Sequence, residues 1–327
     1  MEKLINEFYN RIGFEGDLSE ISIKICDEYN IGLFLSNKLI EVGAEDFSYA
    51  LTTSTDRYLV KIFERHKNIT FCDNYIKIIL RAIKHGIHTP MIYEHKGGYI
   101  YDLKIKNKHF HVSLFKFVDG KDLYSLHEEP TEEQVKVITK QLCSINKIKC
   151  NEPQLFYDWY FAINFCNEFE KKSKWTKNED YNLILPIYEE FKKVDIEKLP
   201  KCYSHSDLIK TNIMKDNSNN IWIIDWSGSG FIPRIADIGN VISSICFCPD
   251  NDSKSKLLEK VFLEEYTKEI PLTKEEIDLL HLYAKVIHAM GILAANYEMY
   301  AENIENEENR FWLSYDRKGL EYRNKIV

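Results

Sequence analysis

The stretch that decides the fold reads CYSHSDLIKTNIMKDNSNNIWIIDW and spans residues 202–226. His205-x-Asp207 is followed five residues later by Asn212. A later apolar run, IWII, has the composition of a strand and leads directly into Asp225. The stretch therefore predicts a polar segment followed by a strand, with one carboxylate in the segment and another at the end of the strand.

These side chains are the types that a metal-dependent phosphoryl-transfer site needs. One carboxylate, Asp207, would take the proton of an attacking hydroxyl, while Asn212 and Asp225 would hold metal ions on a nucleoside triphosphate. A single His-x-Asp is common, and a single Asp after a strand is often only a turn or a cap. The combination is more specific, because a lysine-bearing strand with Lys61 also lies about 140 residues upstream.

Size and charge limit the class of protein. The 327 residues suffice for one large domain or two lobes, with ample material for a buried core. Lys and Arg number 43 against 51 Asp and Glu, and no long basic run is present, so the sequence predicts no nucleic-acid partner. The net charge of −8 would suit a cationic small molecule, although such a charge more often serves solubility alone.

Targeting signals and cysteine usage predict a cytoplasmic protein with no membrane partner. The N-terminus, MEKLINEFYN, has no apolar stretch of the kind that a secretory signal requires. The apolar segment at residues 283–295 is interrupted by Lys285 and His288 and is too short to span a bilayer. The eight cysteines are expected to be reduced and mostly buried, and the Cys246–Cys248 pair lacks the partners of a zinc site.

The first third of the chain alternates strand and helix patterns. A short helix is predicted at 19–29, with Ser19 as a candidate cap, and an amphipathic helix at 69–85. Between and after these helices the apolar runs predict five antiparallel strands, at 32–42, 47–53, 57–63, 99–105 and 109–118. Lys61 lies in the third strand, in the sequence YLVKIF, where a lysine needs a partner or a ligand.

The rest of the chain is mainly helical in pattern. A capping box at Thr131 and Gln134 opens a helix to about residue 149. Further helices are predicted at 154–173, 179–193, 237–246, 254–269, 273–303 and 306–324. The predicted fold class is α+β in two lobes: a small antiparallel β-rich N-lobe, residues 1–117, and a larger, mainly helical C-lobe, residues 118–327.

Two segments resemble the catalytic and metal motifs of the aminoglycoside phosphotransferase (APH) family: HSDLIKTN at residues 205–212 and IIDW at residues 223–226. That family of small-molecule kinases includes choline kinase-like enzymes and shares the protein-kinase-like fold, which the resemblance implies here. It implies that Asp207 is the catalytic base and that Asn212 and Asp225 bind Mg²⁺. It also implies that His205 and Asp237 support the loop.

The same resemblance implies a site for ATP, or for GTP, on the N-lobe. Lys61 resembles the strand-three lysine that contacts the α- and β-phosphates. The family usually pairs this lysine with a Glu of the next helix, but the helix here has only Asp73, which is the hypothesised partner. The turn at Gly43 and Ser48 has a single glycine and would cover the phosphates through its backbone amides.

The adenine or guanine base would hydrogen-bond to backbone in the hinge, at Lys116 and Val118. Because backbone groups would read the base, ATP and GTP are not separated by the sequence.

The resemblance implies a small hydroxylated acceptor, which could be cationic: an aminoglycoside-type antibiotic, or an amino-alcohol or sugar metabolite. Asp237 follows Asp225 by only twelve positions, too few for the activation segment of a protein kinase. An APH-like bacterial protein Ser/Thr kinase and a nucleotide-binding pseudokinase remain alternatives. Candidate acceptor-site residues are 157–160 and an acidic cluster near the C-terminus. The cluster comprises Glu298, Glu302, Glu305, Glu307 and Glu308. The alternative for this cluster is a solvated helix face.

Overall fold

The computed structural model describes residues 12–14, 16–40, 46–149 and 162–326. The chain divides into two compact units, Met1–Gly120 and Lys121–Val327, close to the boundary after residue 117 that the sequence predicts. The first unit is built on an antiparallel sheet and the second is mainly helical. The predicted α+β, protein-kinase-like fold class is therefore confirmed.

The first unit contains five strands and two helices within its described residues. The strand order in the sheet is β1-β2-β3-β5-β4, with every neighbouring pair antiparallel. The elements, in chain order, are α1 (Leu18–Tyr29), β1 (Phe34–Leu39), β2 (Phe47–Thr53), β3 (Arg57–Ile62), α2 (Ile69–Lys84), β4 (Tyr101–Ile105) and β5 (Lys108–Lys116).

The alternation of side chains along β3 separates the core of this unit from its polar face. Tyr58, Val60 and Ile62 are buried and belong to the apolar cluster that also includes Ile21 and Ile25 of α1. Successive side chains of a strand point to opposite faces, so Lys61 lies on the other face of the sheet. The apolar alternation in the sequence thus fixes which face carries the lysine.

Side-chain caps set where the helices begin. The sequence suggested Ser19 as the cap of α1, but the cap is Asp17. The backbone N–H of Ser19 donates to Asp17 Oδ1 at 2.9 Å. A carboxylate two residues earlier accepts that bond and also suits the positive end of the helix dipole. The capping box predicted at Thr131 and Gln134 is confirmed, with both reciprocal hydrogen bonds formed.

The second unit has three short strand pairings and a set of helices. Strands β8 and β9 form an antiparallel hairpin that β6 joins, and β7 pairs with β10. The elements are β6 (Gly120–Asp122), α3 (Glu132–Asn146), α4 (Phe165–Lys172), α5 (Asn178–Phe191), β7 (Lys201–Ser204), β8 (Ile213–Asp216), β9 (Ile221–Ile223), β10 (Gly230–Pro233), α6 (Ile235–Asn240), α7 (Asp252–Glu269), α8 (Lys274–Tyr300) and α9 (Glu307–Lys325).

Helix α8 is the central helix of the second unit. Its buried face packs with residues of α4, α5 and α9 in one apolar cluster. The segment at 283–295 lies inside this 27-residue helix, which by length and composition alone could cross a membrane. Half of the apolar window is buried against the rest of the unit, as expected for the core helix of a folded domain.

The cysteines follow the expected pattern. Of the seven that are described, all are free thiols and only Cys166 is not fully buried. Burial raises the pKa of the Cys246 thiol well above its ordinary value, so this sulfur is a poor nucleophile and a poor metal ligand.

Candidate active site

Residues 205–212 form a loop between β7 and β8, and two of its side chains contact each other directly. The amide Nδ2 of Asn212 donates to the backbone oxygen of Asp207 at 2.9 Å and to its carboxylate Oδ2 at 2.7 Å. The backbone N–H of Ile209 also donates to the Asp207 backbone oxygen, at 3.0 Å. Because the Asn212 nitrogen makes both contacts, its side-chain oxygen remains as an acceptor for a ligand.

Asp225 follows β9 and is tied to the same loop through the backbone. The N–H of Ile224 donates to the backbone oxygen of Asn212 at 3.0 Å, which extends the β8–β9 pairing to the residue before Asp225. Asp225 has a φ of 56°, a left-handed conformation that is uncommon for residues other than glycine. Strain of this kind concentrates at functional sites.

The oxygens of Asn212 and Asp225 are chemically suited to a divalent cation. Magnesium prefers hard oxygen ligands and keeps several waters, so one amide and one carboxylate are enough when phosphates supply the rest. Within the described residues, no group of three or more His, Cys, Asp or Glu side chains could hold a metal. The donor set therefore fits a cation that is shared with a bound phosphate rather than one held by protein alone.

Asp237, on the first turn of α6, holds the start of the loop. Its carboxylate accepts the backbone N–H of His205 at 3.2 Å and of Ser206 at 2.7 Å. It also accepts Nδ2 of Asn146 at 3.0 Å, and Asn146 in turn accepts the hydroxyl of Tyr266 at 2.8 Å. Burial raises the pKa of Asp237 to about 6, against the opposing effect of these hydrogen bonds.

The ring of His205 contacts backbone groups through both of its nitrogens. Its Nε2 lies 3.1 Å from the backbone oxygen of Ile224, and its Nδ1 lies 3.4 Å from the N–H of Asp207. Burial lowers the pKa of His205 to about 4, so the ring is neutral at pH 7. A neutral ring that accepts at Nδ1 carries its proton on Nε2 and donates it to Ile224. Both nitrogens are occupied, which leaves no free base.

Ser206 is the one residue of the loop that combines backbone strain with an unsatisfied side chain. Its φ is 72°, and its buried hydroxyl has no hydrogen-bond partner among the described residues. A left-handed conformation costs a non-glycine residue about 1–2 kcal/mol. Leaving a buried hydroxyl unpaired costs about 1–3 kcal/mol.

We therefore expect Ser206→Gly to raise the free energy of unfolding by about 1 kcal/mol, after the added backbone entropy of glycine in the unfolded chain is subtracted. Denaturant unfolding measures the shift. Asn219→Gly is the matched control, because Asn219 also has a positive φ, of 64°, but lies exposed in the β8–β9 turn. An equal gain in the two variants would show that the buried hydroxyl of Ser206 contributes nothing.

In the first unit, Lys61 is held by a carboxylate that the sequence did not single out. Its Nζ lies 3.1 Å from Oδ2 of Asp46, and Nζ of Lys67 lies 2.8 Å from Oδ1 of the same carboxylate. The Lys61 ammonium also lies 4.8 Å from the centre of the Tyr75 ring. Burial favours the neutral acid, but the two lysines outweigh it and keep the pKa of Asp46 below its ordinary value.

The hypothesised pairing of Lys61 with Asp73 is wrong. Asp73 is exposed on α2, whereas Tyr75 is the α2 residue that packs beside the lysine. The partner instead comes from the residue before β2, because Phe47 pairs with Ile62 and so brings Asp46 next to that end of β3. An acid directly before the second strand was the available signal in the sequence.

The other predicted nucleotide contacts have different outcomes. Ser48 pairs directly with Lys61 across β2 and β3, whereas Gly43 lies outside the described residues. The backbone N–H of Lys116 already donates to the oxygen of Met91 at 2.8 Å, so it is not available to a base. The N–H of Val118 has no such bond within the described part of the chain. Of the two hinge positions, Val118 therefore remains the candidate.

The predicted acidic cluster is only partly assembled. Glu298 is half-buried, and burial together with the nearby Glu302 raises its pKa. Glu305 instead pairs with Arg310 at 3.1 Å, and Glu307 lies in the first turn of α9, where acids favour the helix dipole. Residues 157–160, the other candidates for the acceptor site, lie outside the described residues.

A group of aromatic rings lies next to Glu308, another acid of the predicted cluster. Tyr124 stacks on Trp312 with 5.2 Å between ring centres and meets Phe311 edge-on at 5.0 Å. Burial and the neighbouring Glu308 raise the pKa of Tyr124. We call Tyr124, Glu308, Phe311 and Trp312 the aromatic–acidic patch.

The aromatic–acidic patch connects to the loop that carries Asp207. Nζ of Lys210 donates to the backbone oxygen of Phe247 at 2.8 Å and lies 5.6 Å from the centre of the Tyr315 ring. The Tyr315 ring is in turn 5.6 Å from that of Trp312. Through these contacts the aromatic–acidic patch and residues 205–212 form one continuous part of the second unit.

Comparison with known proteins assigns the family. The model of the phosphotransferase enzyme family, APH, matches residues 36–255, about two thirds of the chain. The chain belongs to this family. It is accordingly a small-molecule phosphotransferase that uses a hydroxyl group as acceptor, and the resemblance drawn from the sequence motifs is confirmed.

Relatives with described activities are distant. A homoserine kinase of Rhodopseudomonas palustris (strain BisB18) is 22% identical over 260 residues, which cover 79% of this chain and 77% of the relative. The structure of a microcompartment-associated aminopropanol kinase matches with a TM-score of 0.70 at 14% identity, covering 94% of this chain and 97% of the other. The structure of spectinomycin phosphotransferase in complex with ADP and spectinomycin matches with a TM-score of 0.64 at 15% identity, covering 94% of this chain and 97% of the other. At these identities the structural likeness shows the fold alone.

Proposed function

We propose that this phosphotransferase moves the γ-phosphate of ATP or GTP to the hydroxyl of a small, amine-bearing acceptor, an amino alcohol or a hydroxy amino acid. The observation that carries the proposal is the pair formed by Asp207 and Asn212, in which an amide fixes the orientation of a carboxylate. Asp225, held in a strained conformation beside them, completes the set of side chains that phosphoryl transfer requires.

In this proposal Asp207 is the catalytic base. The transition state of phosphoryl transfer is loose, so the carboxylate mainly orients the acceptor hydroxyl and takes its proton late. The Asn212 amide restricts the rotation of the Asp207 carboxylate through one of its two oxygens. Held in this way, the carboxylate would face the acceptor hydroxyl.

Asn212 and Asp225 would hold Mg²⁺, through the amide oxygen and the carboxylate described above. When bound, the cation neutralises charge on the phosphates during transfer. Asp237 and His205 act only on the backbone of the loop, and so keep Asp207 and Asn212 in place.

The nucleotide contacts are proposed in the first unit. Lys61 would contact the α- and β-phosphates, with Ser48 directly opposite it in the sheet. The turn at Gly43 would cover the phosphates through its amides, and the Val118 N–H would contact the base. The ADP in the spectinomycin phosphotransferase structure supports a nucleotide in this fold.

A small acceptor is supported by the path of the chain after Asp225. The chain turns at once into β10, residues Gly230–Pro233, which pairs with β7 and leads into α6. That short connection contains no extended segment on which a peptide substrate could be laid out. The alternative of a protein Ser/Thr kinase is therefore less well supported than a small-molecule kinase.

An amine on the acceptor is supported by the aromatic–acidic patch. Ring faces attract a cation, and the carboxylate of Glu308 adds a charge of the right sign. The names of the relatives agree, since both homoserine and aminopropanol carry an amine and a hydroxyl.

An acceptor panel with Mg²⁺ and either ATP or GTP tests the proposal. Homoserine, aminopropanol and ethanolamine should be phosphorylated, and their amine-free counterparts should have a kcat/KM lower by about 10-fold or more, the loss of one cation contact. Glu308→Gln should narrow this difference, whereas Glu305→Gln, which removes an acid that pairs with Arg310, should not. Equal use of amine-bearing and amine-free alcohols would contradict the proposed acceptor class.

An aminoglycoside-type antibiotic is the second candidate acceptor. It is favoured by the match to spectinomycin phosphotransferase in complex with spectinomycin. Phosphate transfer to spectinomycin, but to none of the short amino alcohols in the same panel, would favour the antibiotic as the acceptor. Nucleotide binding without transfer to any acceptor would support a pseudokinase.

A further inference from the structure

Asp46 is the centre of a buried group of charges in the first unit. Its side chain is 3% exposed, and that of Lys67 only 1%. Besides the two lysine contacts, Asp46 Oδ1 accepts the backbone N–H of Glu64 at 3.1 Å. The group therefore links the residue before β2 with β3 and with the segment that leads into α2.

The two lysines differ in how they are placed. Lys61 has a side chain that is 12% exposed, on the face of β3 that points away from the core of the unit. Lys67 is almost fully enclosed, and its ammonium lies 5.2 Å from the centre of the Phe71 ring. Only Lys61 retains access to a ligand, while Lys67 has the surroundings of a fixed structural charge.

The group contains one more cation than a balanced ion pair requires. A buried carboxylate needs a cation and hydrogen bonds to remain ionised, and two lysines with one backbone N–H supply them here. The group as a whole carries one net positive charge. A carboxylate that is shared in this way can hold the Lys61 ammonium at a fixed point without cancelling its attraction for phosphate.

We propose that Asp46 is the residue that positions Lys61 for the triphosphate, and that Lys67 serves to neutralise Asp46 within the unit. The inference rests on the proposed function, in which Lys61 contacts phosphate. In this arrangement the carboxylate partner comes from the chain before β2 and not from helix α2. The position of α2 then does not decide whether Lys61 is paired.

A purely structural role for the buried group is the competing explanation, and a double substitution separates the two. Asp46→Asn removes the buried carboxylate that Lys67 contacts at 2.8 Å, so both stability and transfer should fall. Asp46→Asn combined with Lys67→Met removes the buried cation as well, and the denaturant midpoint should return close to that of wild type. In the double variant Lys61 still lacks its contact with the Asp46 carboxylate.

The first readout is steady-state transfer. In the double variant we expect kcat to remain about 100-fold below wild type, the size of loss that follows a misplaced catalytic group, while the KM for ATP changes less than about 3-fold. Glu64→Gln is the control, since Glu64 contributes only its backbone N–H to the group. Recovery of both kcat and midpoint in the double variant would overturn the proposal.

The second readout does not require transfer to an acceptor. An acyl phosphate of ATP, whose carbonyl is attacked by an amine next to the phosphates, should acylate Lys61 in wild type, as mass spectrometry of the peptides would show. Acylation should be about 10-fold slower or more in the double variant, since its rate follows the position of the amine. Unchanged acylation would overturn the role of Asp46. Loss of acylation in the double variant, with no transfer by wild type to any acceptor, would support the role of Asp46 and count against the proposed function.

Discussion

Replacing Asp207 by Asn is expected to lower kcat by about 10²–10⁴-fold, the range of a lost general base. The substitution should leave the fold intact, because an Asn at this position can still accept the Nδ2 hydrogen bond from Asn212. Nucleotide binding should also persist, since the proposed nucleotide contacts do not include this residue. Steady-state kinetics and calorimetric titration with ADP measure the two quantities.

The control is Asp195→Asn, which makes the same chemical change at an exposed position whose carboxylate pairs with Lys198. Its kcat should equal that of wild type. A reduction of less than 10-fold in Asp207→Asn would remove this residue from the base role.

Replacing Asp237 by Ala is expected to lower the free energy of unfolding by about 4 kcal/mol, the scale of breaking a buried charged contact. The N–H groups of His205 and Ser206 would lose their acceptor, and the amide of Asn146 would retain its bond to the backbone oxygen of Tyr203 but lose the one to Asp237. The loop that carries Asp207 would lose its anchor, so transfer should fall together with stability. Denaturant unfolding and kcat are the measurements.

The matched control is Asn240→Ala, because the side chain of Asn240 also holds the loop, through a hydrogen bond from Nδ2 to the backbone oxygen of Ser206 at 2.7 Å. Its cost should be about 1 kcal/mol, the net value of one hydrogen bond. Similar losses in the two variants would contradict the anchoring role of Asp237.

The penalty of Asp237→Ala should also depend on pH. Burial raises the folded-state pKa of Asp237 to about 6, above the unfolded value. The stability that the neutral acid contributes is therefore fully present below the unfolded pKa and is lost as the pH rises through about 6. The difference in free energy of unfolding between wild type and Asp237→Ala should be largest near pH 4, which is about the pKa of Asp in the unfolded chain. It should shrink as the pH rises to about 6. A stability difference that grows with pH over this interval would contradict a raised pKa of Asp237.

Local patterns in the sequence were sufficient for most elements of the fold. The alternation in β3 and the amphipathic run of α2 predicted both elements within one or two residues of their observed bounds. The sequence also placed Asp207 and Asn212 in one loop, but their hydrogen bond depends on how that loop folds, since five extended residues span about 17 Å.

The misses share a physical cause, which is dependence on contacts between distant segments. The partner of Lys61 is Asp46 and not Asp73, because strand register brings the chain before β2 to that end of β3. Hinge position Lys116 is engaged by Met91, a residue that no local pattern links to it. Spacing along the chain does not report on either contact.

The aromatic–acidic patch was only half visible for the same reason. The acids near the C-terminus were evident as a run, but Tyr124 lies nearly 200 residues before Trp312 and is joined to it only by folding. The acid that matters in the patch, Glu308, could therefore not be distinguished from Glu305, which pairs locally with Arg310.

The central claim is most directly tested by following the γ-phosphate itself. ATP that carries ¹⁸O in its γ-phosphate is incubated with wild-type protein, Mg²⁺ and an amino alcohol, and the label is located by mass spectrometry. The account predicts labelled phosphate on the acceptor hydroxyl in wild type and almost none in Asp207→Asn. Label that appears only in free phosphate or only on the protein itself, with the acceptor unlabelled, would contradict it.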